Sequence, residues 1–356
     1  MIKICLIVGA RPNFMKISPI IKELKKHSVF DYRLIHTGQH YDKNMSSIFF
    51  EELNIPFPDI NLNIDTKQTQ IKVISEIMVK LEKYFLEYFP DYVLVVGDVN
   101  STLAAGITAS KMGIKLIHVE AGLRSFNNSM PEEINRIIVD KLSDILLVSE
   151  PSGIKNLKKE NITENVYLVG NTMIDSLVNN LDKLKAISYK TPYCVVTIHR
   201  PSNVDNKDDL LNILSILDLL KQKGYNIIWP IHPRTKNKIN QFDLTKRLQN
   251  YIIKDPLGYL EFISIVKHSN LVVTDSGGIQ EETTYLNIPC ITLRYDTERP
   301  ITVSKGTNFL TGPNKESVNL ALNKIKNKSD KFNSDIEYWD GNTAKRIVNI
   351  LKGLDR

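Results

Sequence analysis

Three carboxylates in the first half of the chain occupy positions typical of strand or helix ends. Asp98 follows an apolar run that ends at Val96, and Glu120 ends another apolar run. Glu132 lies in the first turn of a segment that Pro131 can open as a helix. Carboxylates that share a cleft push their pKa values apart, so one can hold a proton while another accepts one. The pattern favours proton-transfer chemistry; the alternatives are an N-cap for Asp98 and a helix-dipole contact for Glu132.

Two histidines follow apolar runs in the second half of the chain. His199 comes directly after the run 194–198, and His232 comes shortly after the run 227–230. Each has an arginine and a proline close by in the sequence. Neither has metal-ligand spacing to a cysteine, so we expect acid–base or phosphate contact rather than zinc. The alternative is that each histidine is structural.

A glycine-rich turn lies between an apolar strand-like segment and residues 281–286, which read as a helix. Its residues are Ser276, Gly277 and Gly278. Free N–H groups and the positive end of a helix dipole favour a phosphate at such a place, and glycine lets it approach the backbone. Glu282, one turn later, could hold ribose hydroxyls. The alternative is a tight turn with ordinary capping.

Two cations follow the first apolar run of the chain. Arg11 and Lys16 flank the start of a helical pattern after Gly9, which permits a tight turn. They predict a clamp for a phosphate or a sugar. A surface salt-bridge pair at a helix start is the alternative, and the two residues alone do not decide between them.

The elements that position these residues are short apolar strands alternating with longer helical patterns, which predicts parallel sheets with crossover helices. We expect an α/β protein of two doubly wound, Rossmann-like domains, residues 1–170 and 171–342. An amphipathic helix within 343–356 is expected to pack back on the first domain. The predicted strands are 3–8, 32–37, 92–96, 115–119, 145–148, 166–169, 194–198, 227–230, 251–253, 271–274 and 290–293.

Composition agrees with two ordinary domains. The chain has 356 residues, of which 42% are hydrophobic and 24% are charged. Its net charge of +6 suits a small anionic ligand and gives little support for nucleic acid. Its three cysteines (Cys5, Cys194 and Cys290) lie in or beside apolar runs, so we predict neither a disulfide framework nor a metal site.

The first apolar run is short and reads as a strand rather than a signal peptide, and no run is long enough to span a bilayer. We therefore expect a cytoplasmic protein without membrane partners. The sequence has no Gly-x-Ser-x-Gly elbow, no Walker loop, no Cys-x-x-Cys and no Gly-x-Gly-x-x-Gly after the first strand. These absences argue against a serine hydrolase, an NTPase and a nicotinamide enzyme.

Together the motifs resemble the non-hydrolysing UDP-N-acetylglucosamine 2-epimerase family over nearly the whole chain. The resemblance implies a glycosyltransferase-B-type architecture with the active site in the interdomain cleft, and a homodimer. It implies interconversion of UDP-N-acetylglucosamine and UDP-N-acetylmannosamine without metal or other cofactor, in support of surface polysaccharide synthesis. The motifs are Gly9-x-Arg11-Pro12, Val96-Gly97-Asp98, His118-Val119-Glu120-Ala121-Gly122-Leu123-Arg124, Pro131-Glu132-Glu133-x-Asn135-Arg136, Gly170-Asn171-Thr172-x-Ile174-Asp175, His199-Arg200, Asp275-Ser276-Gly277-Gly278-Ile279-Gln280-Glu281-Glu282 and Thr297-Glu298-Arg299-Pro300.

By position, the resemblance also implies roles for single residues. It assigns proton transfer to Asp98, Glu120 and Glu132, and it assigns phosphate holding or leaving-group assistance to His199. The residues that it implies for substrate binding are Arg11, Lys16, Arg136, His232, Phe262, Ser276, Gly277, Gly278, Glu282 and Arg299.

Two positions depart from the family pattern. Many members have an allosteric second substrate site that includes a Gln-His segment, here Gln39 and His40, but Asp42 stands where a glutamine is often found. A loop that lines the substrate site is the alternative. Leu257 stands where glutamine is common near the uracil, and backbone groups can still read that base.

Four other activities fit parts of the pattern. They are a UDP-sugar glycosyltransferase of the same architecture, a hydrolysing 2-epimerase, an epimerase for another UDP-2-acetamido sugar, and a nucleotide-sugar sensor without turnover. A glycosyltransferase needs an acceptor groove and only one catalytic base, and a sensor needs no carboxylates. The three carboxylates therefore favour the epimerase.

Overall fold

The computed structural model describes residues 1–38, 55–65, 67–187, 189, 192–327, 332 and 334–354. Gln39 and His40 lie outside these residues, and so does the side chain of Arg11, whose backbone is described. The chain divides into two compact units. The first comprises Met1–Asn179 and Glu337–Arg356, and the second comprises Asn180–Ile336.

The first unit is built on a seven-stranded sheet in the order β3-β2-β1-β4-β5-β6-β7, with every neighbouring pair parallel. Its strands are β1 (Ile2–Val8), β2 (Phe30–His36), β3 (Ile60–Asn61), β4 (Tyr92–Val96), β5 (Lys115–Ala121), β6 (Ile145–Val148) and β7 (Val166–Leu168). Its described helices are α1 (Arg11–Leu24), α2 (Gln70–Tyr88), α3 (Asn100–Lys111), α4 (Pro131–Leu142), α5 (Pro151–Lys159), α6 (Thr172–Val178) and, at the end of the chain, α14 (Thr343–Lys352).

The second unit has a six-stranded parallel sheet in the order β10-β9-β8-β11-β12-β13. Its strands are β8 (Tyr193–Thr197), β9 (Asn226–Pro230), β10 (Ile252–Lys254), β11 (Leu271–Thr274), β12 (Cys290–Thr292) and β13 (Asn308–Leu310). Its helices among the described residues are α7 (Pro201–Val204), α8 (Lys207–Gln222), α9 (Pro233–Gln241), α10 (Tyr259–Lys267), α11 (Gly277–Tyr285), α12 (Ile301–Ser304) and α13 (Lys315–Asn327), and its 3₁₀ turns are Leu181–Lys183 and Thr245–Asn250.

The prediction of two doubly wound α/β units is confirmed. In each sheet the chain order reverses at one place, between β1 and β4 and between β8 and β11. Ligands of open α/β sheets bind outside the carboxyl ends of the strands at such reversal points. Two strands were not predicted, β3 and β13; both have at most three residues, too few for a periodic pattern.

Apolar periodicity explains how the helices pack on the sheets. Helix α2 buries Val73, Ile77, Leu81 and Phe85, which recur every four residues on one face. The Thr69 side chain accepts a hydrogen bond from an N–H in the helix's first turn. In the second unit, α8 likewise buries seven apolar residues against the sheet. These helices fix the strands that carry the polar residues described below.

The last helix packs in the first unit. Helix α14 buries Ala344, Ile347, Val348 and Leu351. Asp175 of α6 accepts hydrogen bonds from the first two N–H groups of α14, at 3.0 and 2.7 Å. Because α6 also contacts α1, the first unit extends to Asn179, beyond the predicted end at residue 170. Within the described ranges, no helix has the length and apolar character to cross a bilayer.

Candidate active site residues

In the first unit, the turn after β1 is tied to the end of β4. The Asn13 side chain accepts hydrogen bonds from the N–H groups of Gly9 (3.2 Å) and Ala10 (2.9 Å). Its amide nitrogen donates to the carbonyl of Val96 at 3.0 Å. Asn13 therefore fixes the start of α1, and with it Lys16, relative to the strand end that precedes Asp98.

Glu120 is held in an unusual backbone conformation. Its φ is +73°, and the β5–β6 register shifts between Val119 and Ala121, so Glu120 forms a bulge. A left-handed conformation costs a residue with a side chain about 1–2 kcal/mol. The bulge turns the Glu120 carboxylate toward Lys16, whose Nζ lies 2.5 Å from Oε2. Both side chains are buried, at 3% and 8% exposure.

Gly97 makes room for this ion pair. Its φ is +67°, which favours glycine. A Cβ at this position would lie 2.9 Å from the Lys16 Nζ and 3.6 Å from the Glu120 Oε2. Any other residue would therefore press on the Lys16–Glu120 pair.

Asp98 is paired with Arg136 at the same sheet edge. An Arg136 Nη contacts an Asp98 carboxylate oxygen, and the Asn135 side chain donates to the Asp98 carbonyl at 2.8 Å. The other Nη of Arg136 lies 2.5 Å from Glu133. The Asp98 side chain remains 27% exposed, whereas that of Arg136 is 4% exposed. Arg136 thus joins a buried carboxylate to one that a ligand can reach.

Glu132 and Glu133 differ sharply although they are adjacent. Glu132 is exposed in the first turn of α4, while Glu133 is buried. Glu133 accepts hydrogen bonds from the backbone of Ser125 and Phe126 and from the Ser125 hydroxyl. Glu133 therefore shapes the loop before α4, and the proton-transfer role predicted for Glu132 stays a prediction.

A second buried pair underlies the ends of β4 and β5. His118 and Asp140 are both fully buried, with Nδ1 and Oδ1 2.6 Å apart. Nothing in the sequence analysis assigned them a role. Their contact could not be found from spacing, because residues 22 positions apart on a strand and a helix meet only in the fold.

In the second unit, His199 lies at the end of β8 and is oriented by Asp275. The His199 Nδ1 is 3.0 Å from Asp275, whose side chain is fully buried. Asp275 also accepts hydrogen bonds from the backbone N–H groups of His199 and Arg200 and from the Asn203 amide. The His199 side chain remains 40% exposed. Asp275 stands in one of the family motifs and directly follows a strand, but no role was predicted for it from the sequence.

His232 lies close to His199. The two ring centroids are 5.3 Å apart. His232 is the N-cap of α9, and its Nδ1 accepts a hydrogen bond from the Arg234 N–H at 3.1 Å. This bond places the acceptor on Nδ1 and leaves Nε2 as the protonated nitrogen in the neutral ring.

The glycine-rich turn begins α11. Ser276 is its N-cap and Gly277 is its first residue, so the prediction of a helix beginning near residue 281 was wrong by a full turn. Glycines at 277 and 278 do not exclude a helix start, because the backbone penalty of glycine is small beside tertiary packing. As a result Glu282 lies in the second turn.

Gly277 packs directly on a buried charge cluster. A Cβ on it would lie 2.7 Å from Glu298 Oε1 and 3.0 Å from Arg299 Nη1. Arg299 lies 2.5 Å from Glu298 and 2.7 Å from Glu281, and all three side chains are at most 7% exposed. Arg299 therefore fixes the turn; direct contact with a ligand stays a prediction.

Glu282 and Phe262, predicted to contact ribose and uracil, lie on α11 and α10. Glu282 is 2% exposed. Burial, together with the charge and hydrogen bond of Glu282, holds the pKa of Tyr259 well above its ordinary value. Phe262 is half-buried and packs against the core beneath β8 and β11. Their predicted roles stay predictions.

In the part of the chain that the structure describes, no three His, Cys, Asp or Glu side chains are grouped as metal ligands would be. The three cysteines are buried and unpaired with one another. The protein thus combines two Rossmann-like α/β units, with ion-paired carboxylates at the strand ends of the first and a glycine-opened helix start in the second, a place that suits a phosphate.

Comparison with known proteins gives the particular family. The family model for UDP-N-acetylglucosamine 2-epimerase matches residues 22–352. A UDP-N-acetylglucosamine 2-epimerase of Methanococcus maripaludis is 43% identical over 99% of each chain. The crystal structure of the Methanocaldococcus jannaschii UDP-GlcNAc 2-epimerase with UDP-GlcNAc and UDP is 41% identical, covers 99% of both chains and gives a TM-score of 0.90. The protein belongs to the UDP-N-acetylglucosamine 2-epimerase family.

Proposed function

We propose that the protein interconverts UDP-N-acetylglucosamine and UDP-N-acetylmannosamine by inverting C2 of the sugar. Family membership over nearly the whole chain supports this reaction. The observation that carries it in the structure is the placement of Asp98 and Glu120 at the carboxyl ends of neighbouring strands, with Lys16 of α1 beside Glu120. Such a group can exchange protons beside a positive charge.

The chemistry calls for elimination rather than direct proton exchange. The C2 proton is not next to a carbonyl and is therefore not acidic. A base removes the C2 proton, and the electrons of the C2–H bond form the C1–C2 double bond. The C1–O bond breaks, and UDP leaves with the electron pair of that C1–O bond. A proton is then delivered to the other face of C2 in 2-acetamidoglucal, and the UDP oxygen bonds to C1 again.

The residues divide between these tasks. Asp98, Glu120 and Glu132 are proposed to exchange the protons. His199 holds the diphosphate or assists its departure, since its exposed ring is oriented by a buried carboxylate. Lys16 holds the Glu120 carboxylate in place through the contact between its Nζ and Oε2.

The second unit is proposed to retain UDP. The N–H groups of Gly277 and Gly278 at the start of α11, with the hydroxyl of Ser276, suit a diphosphate, while the Ser276 N–H donates to the Thr274 hydroxyl oxygen at 2.9 Å. UDP kept in place gives the high effective concentration that re-addition needs. The other residues proposed to bind the substrate are Arg11, Arg136, His232, Phe262, Glu282 and Arg299.

The proposal includes a cytoplasmic homodimer. Helix α2 exposes Ile71, Val79 and Leu86, at 76%, 65% and 57%. An apolar surface of this kind is typical of an interaction site. Sedimentation should give twice the monomer mass, and Leu86→Glu should shift it toward the monomer; a wild-type monomer would contradict the dimer.

The decisive experiment follows C2 directly. With UDP-N-acetylglucosamine in deuterated water, proton NMR should show loss of the C2 proton signal and growth of the N-acetylmannosamine epimer. Absence of exchange at C2 would refute the epimerase. Accumulation of free N-acetylmannosamine with equal UDP would instead indicate the hydrolysing reaction.

The sugar itself needs a separate comparison. A UDP-2,3-diacetamido-2,3-dideoxy-D-glucuronate 2-epimerase of Pseudomonas aeruginosa is 37% identical over 99% of this chain. Measuring kcat/KM for both sugars with the same enzyme distinguishes them. We expect a higher value for UDP-N-acetylglucosamine, and the reverse order would move the assignment to the uronate.

A further inference from the structure

The fully buried His118–Asp140 pair lies beneath two candidate catalytic carboxylates. The His118 Nδ1 is 2.6 Å from Asp140 Oδ1, and its Nε2 is 2.9 Å from the carbonyl oxygen of Gly97. Asp140 Oδ2 accepts the Gly122 N–H at 3.0 Å and lies 2.7 Å from an Arg124 nitrogen. Every polar atom of the two side chains is therefore engaged.

The partners of His118 determine its protonation. A carbonyl oxygen can only accept, so Nε2 must carry a proton. Asp140 already accepts from a backbone N–H and faces the Arg124 guanidinium, so it is ionised and Nδ1 must also donate. His118 is then an imidazolium with one buried carboxylate as its counter-ion.

Neighbouring charges support this state. Arg124 also pairs with Glu160 at 2.7 Å. Glu160, Arg124, Asp140 and His118 therefore form a series in which acidic and basic side chains alternate. Lys16 and Glu120, an ion pair of opposite charges, lie on the other side of Gly97, where a Cβ would be 2.9 Å from the Lys16 Nζ and 3.6 Å from the Glu120 Oε2. Burial alone would raise the pKa of Asp140, but the charges and hydrogen bonds of His118 and Arg124 outweigh it and hold that pKa below its ordinary value.

The two backbone groups held by this pair adjoin the candidate catalytic residues. The Gly97 carbonyl belongs to the peptide that leads into Asp98, and the Gly122 N–H lies two residues after Glu120. Gly122 itself has φ +79°, and a Cβ there would be 2.5 Å from the Gly153 carbonyl oxygen. The turn that follows the strained Glu120 is therefore closely confined.

We propose that Asp140, acting through a His118 whose two ring nitrogens are both engaged and through the Gly122 N–H, is the positioning residue that aims both Asp98 and Glu120. Asp140 and His118 do not touch substrate. They set the relative placement of the two strand ends from which the carboxylates extend. The catalytic part of this inference rests on the proposed epimerisation, whereas the charge of His118 does not.

Positioning of this kind affects kcat more than binding. A displacement of about 1 Å in a catalytic group can lower the rate about 100-fold. Asp140→Asn keeps the shape and can still accept from Gly122, but its amide would face Nδ1 and require a neutral His118. The Gly97 contact would survive while the electrostatic restraint is lost.

The first test measures the wild-type protein and needs no activity. Nitrogen-15 NMR of labelled histidine should show one of the seven histidines with both ring nitrogens protonated at pH 8, and His118→Gln should remove that signal. A His118 with an unprotonated ring nitrogen at this pH would overturn the proposal. This result stands whether or not the protein epimerises its sugar.

The second test compares two buried aspartates. We expect Asp140→Asn to lower kcat for deuterium exchange at C2 about 100-fold, to leave the Kd for UDP unchanged and to convert His118 to the neutral ring. Asp175→Asn is the control, since Asp175 accepts two backbone N–H groups in the same unit at the start of α14. The control should retain kcat. Wild-type kcat in folded Asp140→Asn, or an equal loss in Asp175→Asn, would overturn the proposal.

Discussion

The two units each contain a histidine–aspartate pair close to the candidate site residues, and the pairs differ in access to solvent. In the first unit both side chains of His118–Asp140 are fully buried, and both ring nitrogens are engaged. In the second unit Asp275 is as deeply buried, but the side chain of His199 is 40% exposed. Only the second histidine has a ring face free to meet a ligand within its own unit.

The contrast distinguishes a histidine that holds the backbone in place from one that can take part in a reaction. A histidine with two fixed partners cannot exchange a proton without breaking a buried ion pair, which costs about 3–5 kcal/mol. A histidine with one buried carboxylate partner keeps a fixed orientation and offers its other nitrogen. The residue types are the same in both units, but His118 lies buried within β5 whereas His199 follows β8 and is exposed, and this difference separates the two tasks.

The largest expected effect is on turnover in the first unit. Asp98→Asn and Glu132→Gln each remove a proposed proton carrier, so kcat should fall about 10²–10⁴-fold. UDP binding, measured by calorimetry, should persist, because the proposed UDP site is in the second unit. Wild-type turnover in either variant would remove that residue from the mechanism.

The two histidines should differ in their effect on stability. His118→Gln breaks a buried pair, and the loss of about 3–5 kcal/mol should lower the Tm by several degrees. His199→Gln leaves Asp275 with three other donors, so its Tm should stay close to wild type while kcat falls. Calorimetry and NMR turnover measure both quantities. An equal loss of Tm in both variants would contradict the contrast between the buried His118–Asp140 pair and the His199–Asp275 pair.

These pairs also show what could be predicted from sequence. Strand-end positions of Asp98, Glu120 and His199 follow from local patterns, and so does the α/β fold. The difference between Glu132 and Glu133 does not, because either glutamate fits the first turn of a helix. Burial of Glu133, like the engagement of His118, depends on contacts with residues distant in sequence.

A smaller effect is expected at the glycine-rich turn. Gly277→Ala places a Cβ 2.7 Å from Glu298 Oε1. Overpacking of this kind costs about 1–3 kcal/mol, which corresponds to about a 5–150-fold weaker Kd for UDP if the turn moves. Gly353→Ala is a control for glycine replacement, because its φ is −85° and a Cβ there would lie 3.5 Å or more from its neighbours. Unchanged UDP affinity in Gly277→Ala would show that the glycine-rich turn does not contribute to UDP binding.

The smallest expected effect is a change in acid sensitivity. Burial alone would raise the pKa of Asp140 and that of Asp275. His118 and Arg124 outweigh burial at Asp140, and His199 and the backbone donors outweigh it at Asp275, so both pKa values are lowered. A lowered folded-state pKa gives stability that is complete above the ordinary value of about 3.9 and is lost as the pH falls through the folded-state value.

Replacing either aspartate by asparagine should flatten the dependence of unfolding free energy on pH below about 4, by at most about 1.4 kcal/mol per pH unit. Asp140 faces two cationic partners and Asp275 one histidine, so Asp140→Asn should flatten the curve more. Denaturant unfolding from pH 5 to 3 measures this difference. The opposite order would show that the His199–Asp275 pair has the stronger charge interaction.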